Sequence, residues 1–194
     1  MQKAIKNEKM TNGQLIFLAH QTCQWWNAVF VQTSRFLDAF ESRNGKFPWD
    51  DGCENDMFVA ERLFLITAIY HAIEDLKKLD IEMQRKNDLS IQSVLQAIET
   101  VAPFYDIKNL RDMNEHGLDY LMNKGKKQEE FLTAVKKDDK TILTTAAWTQ
   151  VRGDAGCFLL GNVKIDKLLI IMKEYWHFVR EKTKEISDTA WQNI

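Results

Sequence analysis

Proline is nearly missing from this chain, which has two in 194 residues, Pro48 and Pro103, and only eight glycines. So few breakers argue against a fold of many short strands and tight turns and leave long uninterrupted helices as the expected element. The three cysteines, Cys23, Cys53 and Cys157, are odd in number, scattered and free of CxxC spacing. That pattern excludes a disulfide scaffold and fits a reducing compartment, so the expected address is the cytoplasm. Long apolar runs are also lacking: Leu15 to Ala19 is too short for a signal segment, and no stretch is suited to crossing a membrane. Neither sign of charge dominates. A net charge of −2 and a pI near 6.1 give no global case for a nucleic-acid-coating protein, although they leave room for a local basic cleft. A Gly-x-Ser-x-Gly elbow and a glycine-rich phosphate loop are absent, and no cysteine is placed with a histidine in a way that suggests a thiolate enzyme, which disfavours the nucleophilic hydrolases.

What is present is apolar periodicity. At 45% hydrophobic the chain can bury a sizeable core, and it reads as a single domain over residues 1–194. Thr11 or Asn12 can cap a first helix that runs to about Ser42. Its inward stripe is Ile16, Ala19, Cys23, Trp26, Phe30, Leu37 and Phe40, with Thr33 in the one gap, and the core is the expected place for Trp25 and Trp26. Asn44 to Gly52, interrupted by Pro48, reads as a loop. A second helix is expected over about 54–84, with Val59, Leu63, Ile66, Tyr70 and Ile73 inward and Glu74, Asp75, Lys77 and Lys78 solvated. A shorter helix over about 90–101, capped by Ser90, precedes Pro103, and a helix of about 106–123 follows, ending near Gly125.

Beyond the polar stretch 124–130 the periodicity changes. Thr141 to Thr145 and Ala146 to Val151 are rich in β-branched residues, Gly153-Asp154-Ala155-Gly156 supplies turn chemistry, and Cys157 to Leu160 resumes an apolar run. This predicts a small β-hairpin over about 141–161. A final helix over about 165–186 carries the stripe Ile165, Leu168, Leu169, Met172, Trp176 and Val179.

One segment suggests a specific chemistry: Arg111-Asp112-Met113-Asn114-Glu115-His116. An arginine stays cationic and can hold a phosphate, while a histidine can move a proton near neutral pH, so the two together could cleave a phosphodiester without a metal. Asp112 lies four positions before His116 and can orient its ring, whereas Glu115 lies four after Arg111 and suits an ordinary ion pair worth a few tenths of a kcal/mol. Residues five apart on a helix project about 140° from each other, so Arg111 and His116 need a broad cleft or a partner chain to act together. Near a helix start, free amides and the dipole would favour a phosphate, with Asp106 and Asp112 opposing it.

The order of long helix, long helix, short helix, a helix carrying Arg-polar-x-x-x-His and a closing helix resembles the HEPN superfamily of helical domains. Arg111, Asp112 and His116 match the family's motif, and Gly117-Leu118-Asp119-Tyr120-Leu121 after the histidine is similar to bacterial members. The resemblance covers the helical body but not the hairpin. It implies a mainly α, HEPN-like four- to five-helix bundle with the hairpin inserted before the last helix. It also implies a homodimer whose paired motifs face one cleft, and a metal-independent, cofactor-free endoribonuclease, often a toxin or phage-defence effector. In such a site His116 would handle the proton of the attacking 2′-hydroxyl or of the leaving oxygen, Arg111 would stabilise the phosphate and Asp112 would orient the histidine. The product would be a 2′,3′-cyclic phosphate, the substrate RNA and not DNA, and a toxic member would need a restraining partner such as a cognate antitoxin.

Two rivals stand beside this reading. The family includes members that bind without cutting, so the domain could be a dimerisation, protein-binding or RNA-binding module. The basic clusters Lys124, Lys126, Lys127 and Lys136, Lys137 are ordinarily just solvated surface. The histidines His20, His71, His116 and His177 fall one on each of four expected helices, which invites a metal site inside a bundle. Against that, no His-x-x-x-His pair is present, the single Glu-x-x-His, Glu174 and His177, has no second copy, and His71 with Glu74 has the reversed spacing.

Overall fold

The computed structural model describes residues 9–41, 56–116, 124, 132–137, 140–145, 149–152, 157–160 and 163–194. Helix α1 (Asn12–Glu41) opens with a capping box. The Thr11 N–H donates to Gln14 Oε1 at 2.9 Å, and the Gln14 N–H returns to Thr11 Oγ1 at 3.3 Å. Helix α2 (Asp56–Gln84) runs antiparallel to α1, as Trp25 against His71 and Arg35 against Glu61 show. The loop expected at 44–52 lies outside the described residues.

A tight turn closes α2. Asn87, at φ 60°, takes the left-handed position, the Asp88 N–H reaches Met83 O at 3.0 Å and the Asn87 N–H reaches Gln84 O at 3.0 Å, which together form a Schellman motif. Helix α3 (Ser90–Val101) follows. The expected cap differs: Ser90 is the first helical residue, its N–H donates to Asp88 Oδ1 at 2.9 Å, and its own hydroxyl is buried without a hydrogen-bond partner among the described residues. The capping carboxylate therefore comes from Asp88, one residue further back than a standard cap.

Helix α4 (Phe104–Glu115) starts directly after Pro103 and lies antiparallel on α2, with Phe104 near Lys77 and Arg111 near Tyr70. Backbone ladders pair β1 (Leu132–Lys137) with β2 (Lys140–Thr145), and β3 (Thr149–Arg152) with β4 (Cys157–Leu160) and β5 (Val163–Lys164), all antiparallel. Strand pairing thus begins at Leu132, earlier than the expected 141, and forms two small sheets.

The single closing helix expected over 165–186 is two helices, α5 (Ile165–Glu174) and α6 (Trp176–Trp191), divided at Tyr175 with φ −89° and ψ 3°. No proline or glycine marks this break, and the Tyr175 N–H still bonds back to Ile171 O at 3.0 Å, so the apolar period passes through it. Helix α6 runs antiparallel to α1: Asn12 Nδ2 donates to Asn193 O at 2.9 Å, and His20 Nε2 lies 3.2 Å from Ser187 Oγ.

The protein is therefore a mainly helical bundle. Among the described residues the core is filled by Trp26 and Phe36 of α1, Leu65, Leu76 and Leu79 of α2, Ile98 of α3, and Leu168 and Met172 of α5. Trp26 is 0% exposed, and its indole N–H donates to Met172 O at 3.1 Å, which satisfies the polar edge of a buried ring. Trp25 is only half-buried. One expectation fails on α2: Asp75, read as solvated, is 3% exposed, with Lys78 Nζ at 2.9 Å from one oxygen. Its other oxygen is buried without a hydrogen-bond partner among the described residues. Helices α1, α3 and α4 all pack on α2, so flanks that a one-sided amphipathic helix would leave in water are covered.

Candidate functional site

Arg111 and His116 do not stand near a helix start. Helix α4 begins at Phe104 because proline's fixed φ and missing N–H suit the position before a first turn, and that places Arg111 in its second half. His116 is the residue that ends the helix, at φ −110° and ψ 27°, its N–H donating to Asp112 O at 3.0 Å. Gly117, a residue type favoured just past a helix end, follows in the sequence. The expectation that the first-turn amides greet a phosphate is thus overturned: the motif occupies the carbonyl end, where the dipole favours cations. Residues 117–123, to which the expected helix extended, lie outside the described residues.

Arg111 is held by three residues, Tyr70, Glu115 and Asp112. Its guanidinium lies 4.2 Å from the centre of the Tyr70 ring, a cation–π contact between α4 and α2. Glu115 Oε2 accepts from its Nη1 at 2.5 Å. Its Nε is buried, lies 3.3 Å from Asp112 Oδ1 and is without hydrogen-bond geometry to any described partner. Burial works against the charge, but the hydrogen bonds to Glu115 and Tyr70 and the charges of Asp112 and Glu115 outweigh it, so the Arg111 pKa rises above the ordinary arginine range. The side chain is 21% exposed.

Asp112 faces Lys108 Nζ at 3.2 Å as well as Arg111, while His116 is exposed at the end of the helix. The helix thus brings a fixed, permanent cation and a solvent-facing imidazole to one end of the bundle, with Asp112 on the turn between them. Along α4 three carboxylates (Asp106, Asp112, Glu115) stand against two cations (Lys108, Arg111), so its own charge does not attract an anion.

The Arg111–Glu115 ion pair was expected from the spacing, whereas the aromatic contact that fixes Arg111 was not. Tyr70 lies edge-on to His71, with ring centres 5.3 Å apart at 73°, and His71 stacks on Trp25 of α1 at 4.7 Å and 20°. Trp25, His71, Tyr70 and Arg111 therefore form one line of contacts across α1, α2 and α4. Adjacent residues on a helix do not share a face, so no sequence period marks Tyr70 and His71 as a unit, and nothing local links Tyr70 to Arg111.

The histidines do not converge. His20 meets Ser187, His71 meets Trp25, and among the described residues no three His, Cys, Asp or Glu side chains are grouped to hold a metal ion. Lys124 is exposed and Lys136 and Lys137 belong to β1, while Lys126 and Lys127 lie outside the described residues. A cavity of about 290 Å³ between α2 and α3, lined by Lys77, Asp80, Ile81, Leu95, Glu99 and Phe104 among others, does not include the Arg111–His116 end. No described helix is long and apolar enough to cross a membrane. No protein-family model, no curated protein and no solved structure matches the chain.

Proposed function

We propose that this is a HEPN-like helical protein that cleaves RNA without a metal, using His116 for proton transfer and Arg111 to hold the scissile phosphate, in a homodimer of toxin or phage-defence type. The observation that carries this reading is the union, at one helix end, of a cation kept charged and rigid on the Tyr70 face with an exposed imidazole.

Three features oppose a phosphate here: the helix dipole, the Arg111–Glu115 pair and the Asp112 carboxylate 3.3 Å from Arg111 Nε. The dipole at a helix terminus is worth about 0.3–1 kcal/mol. The Arg111–Glu115 pair, whose carboxylate side chain is 44% exposed, is worth about 0.2–1 kcal/mol. A charge-assisted hydrogen bond from arginine to phosphate contributes about 1.5–3 kcal/mol, and a second such bond adds to it. On this reading a phosphodiester, able to accept two bonds from the guanidinium, replaces Glu115 as the partner of Arg111. Because Arg111 and His116 diverge by about 140° around the helix, the reaction is completed by a second copy that presents its own helix end to the first. The attacking nucleophile is the RNA's own 2′-hydroxyl: its oxygen bonds to phosphorus as its proton leaves to a base, the bond to the 5′-oxygen breaks, and that oxygen takes up a proton.

A second reading is favoured by the same arginine. With Glu115, Asp112 and Tyr70 all engaged, Arg111 serves equally as a clamp that docks α4 on α2 in a non-catalytic dimerisation or binding module. Cleavage of a mixed RNA pool in EDTA separates the two, with Arg111→Ala and His116→Ala run beside wild type after checks of folding and dimerisation. Cutting by wild type alone, leaving 2′,3′-cyclic phosphate ends, is the expected result. No cutting and no RNA binding by any of the three makes the module reading the correct one.

A further inference from the structure

We infer that Tyr70 is the positioning residue of the site, fixing the Arg111 guanidinium through its ring face, and that His71 and Trp25 brace it from behind. The inference rests on the reading of Arg111 as the phosphate-holding group, but its geometry is independent of that reading. An arginine side chain has several rotatable bonds, and a guanidinium that must meet a phosphate in one orientation benefits from a surface that removes that freedom before substrate arrives. Tyr70 supplies this surface: its ring centre is 4.2 Å from the guanidinium carbon. The ion pair to Glu115 cannot take this part, because Glu115 is the partner that an incoming phosphate replaces. Tyr70 is neutral, does not compete with the phosphate and holds Arg111 from the bundle side, so the contact persists when substrate binds.

The brace extends inward. His71 lies edge-on to Tyr70 at 5.3 Å and is stacked on Trp25 at 4.7 Å, which ties the ring beneath Arg111 to α1. Helix α4 therefore presents its arginine from a support built by two other helices, with the exposed His116 at the helix end.

The test compares Tyr70→Phe and Tyr70→Leu in the full chain, using an Arg111 signal that does not depend on activity. The Arg111 Nε–H resonance, assigned by its loss in Arg111→Lys, is followed by nitrogen–proton correlation. Over a ring face and sealed from water, it is expected upfield of ordinary arginine positions and slow to exchange with solvent. Tyr70→Phe is expected to keep the upfield position. Tyr70→Leu removes the ring current and so shifts the resonance whatever the guanidinium does. The decisive reading is exchange with solvent, expected to become fast in Tyr70→Leu and to stay slow in Tyr70→Phe. In the RNA assay Tyr70→Leu is expected to lower the cleavage rate about tenfold or more with binding little changed. A residue that merely stabilised the fold would lower the melting temperature and leave exchange slow well below melting, and that result overturns the inference. If Tyr70→Leu fails to fold, Tyr70→Met, which also lacks a ring, takes its place. Exchange that quickens while wild type cuts no RNA sustains the positioning of Arg111 and sinks the nuclease reading instead.

Discussion

Replacing Asp88 with asparagine tests how the turn after α2 is anchored. Asp88 serves two elements at once: Oδ1 accepts the Ser90 N–H at the head of α3, and Oδ2 meets Lys182 Nζ of α6 at 2.7 Å. Hydrogen bonds from Lys182 and Ser90 lower its pKa from 3.8 to about 2. Taken at face value this is about 2.4 kcal/mol of stabilisation, at 1.36 kcal/mol for each tenfold change in proton affinity. The Asp88 side chain is 29% exposed, so solvent screening reduces the expectation to about 1–1.5 kcal/mol. Asparagine keeps the acceptor for Ser90 and removes the charge, which leaves Lys182, 12% exposed, with Glu185 alone at 3.0 Å. A carboxylate depressed in the folded state stabilises in full above 3.8, and that contribution is lost as pH falls through about 2. Urea midpoints of wild type and Asp88→Asn should therefore differ by about 1–1.5 kcal/mol at pH 7, and by about half of that at pH 3. A difference that stays constant between pH 7 and pH 3 would refute the electrostatic account, because a purely steric loss does not titrate.

Other outcomes follow from single contacts. Ser90→Ala should be neutral or slightly stabilising in the same assay, since the Ser90 hydroxyl is buried without a partner among the described residues; a loss near the roughly 1 kcal/mol of a true cap would restore Ser90 to that role. Trp26→Phe should cost about 1–3 kcal/mol, because it leaves Met172 O unpaired inside the core and opens a small void; an unchanged melting temperature would show that the bond at 3.1 Å contributes nothing. Glu115→Ala should cost less than about 1 kcal/mol, as a half-exposed ion pair does; a loss above about 2 kcal/mol would mean that Glu115 is not displaceable and would favour the clamp over the nuclease.

The parts of the fold legible in the sequence are those written in local chemistry. The Thr11–Gln14 capping box and the breaker at Pro103 mark helix ends wherever they occur. The expected start of α4 near Asp106 falls two residues inside the observed helix, because Pro103 sets the start at Phe104. That two-residue difference, together with an end at Glu115 where a longer helix was expected, moved Arg111 and His116 from the amide end to the carbonyl end and reversed the electrostatic argument about them. Tyr175 breaks the last helical segment with no local sign, since its neighbours keep the apolar period. Asp75 and the Tyr70–Arg111 contact depend on which helices surround α2, and a single helix's periodicity carries no record of its neighbours.

The bond from Trp26 to Met172 spans 146 residues of chain, and that separation is also an interval of time. At a synthesis rate of about 5–20 residues per second, α1 leaves the ribosome roughly 7–30 s before its acceptor exists. During that interval α1 and α2 can pair, since their contacts are close in sequence, but the indole stays uncovered until α5 arrives. A nascent chain paused in the strand region would display that tryptophan face to chaperones and to other copies of itself. Indole fluorescence from Trp26 would then report the last step of assembly, the arrival of α5 over the α1–α2 pair.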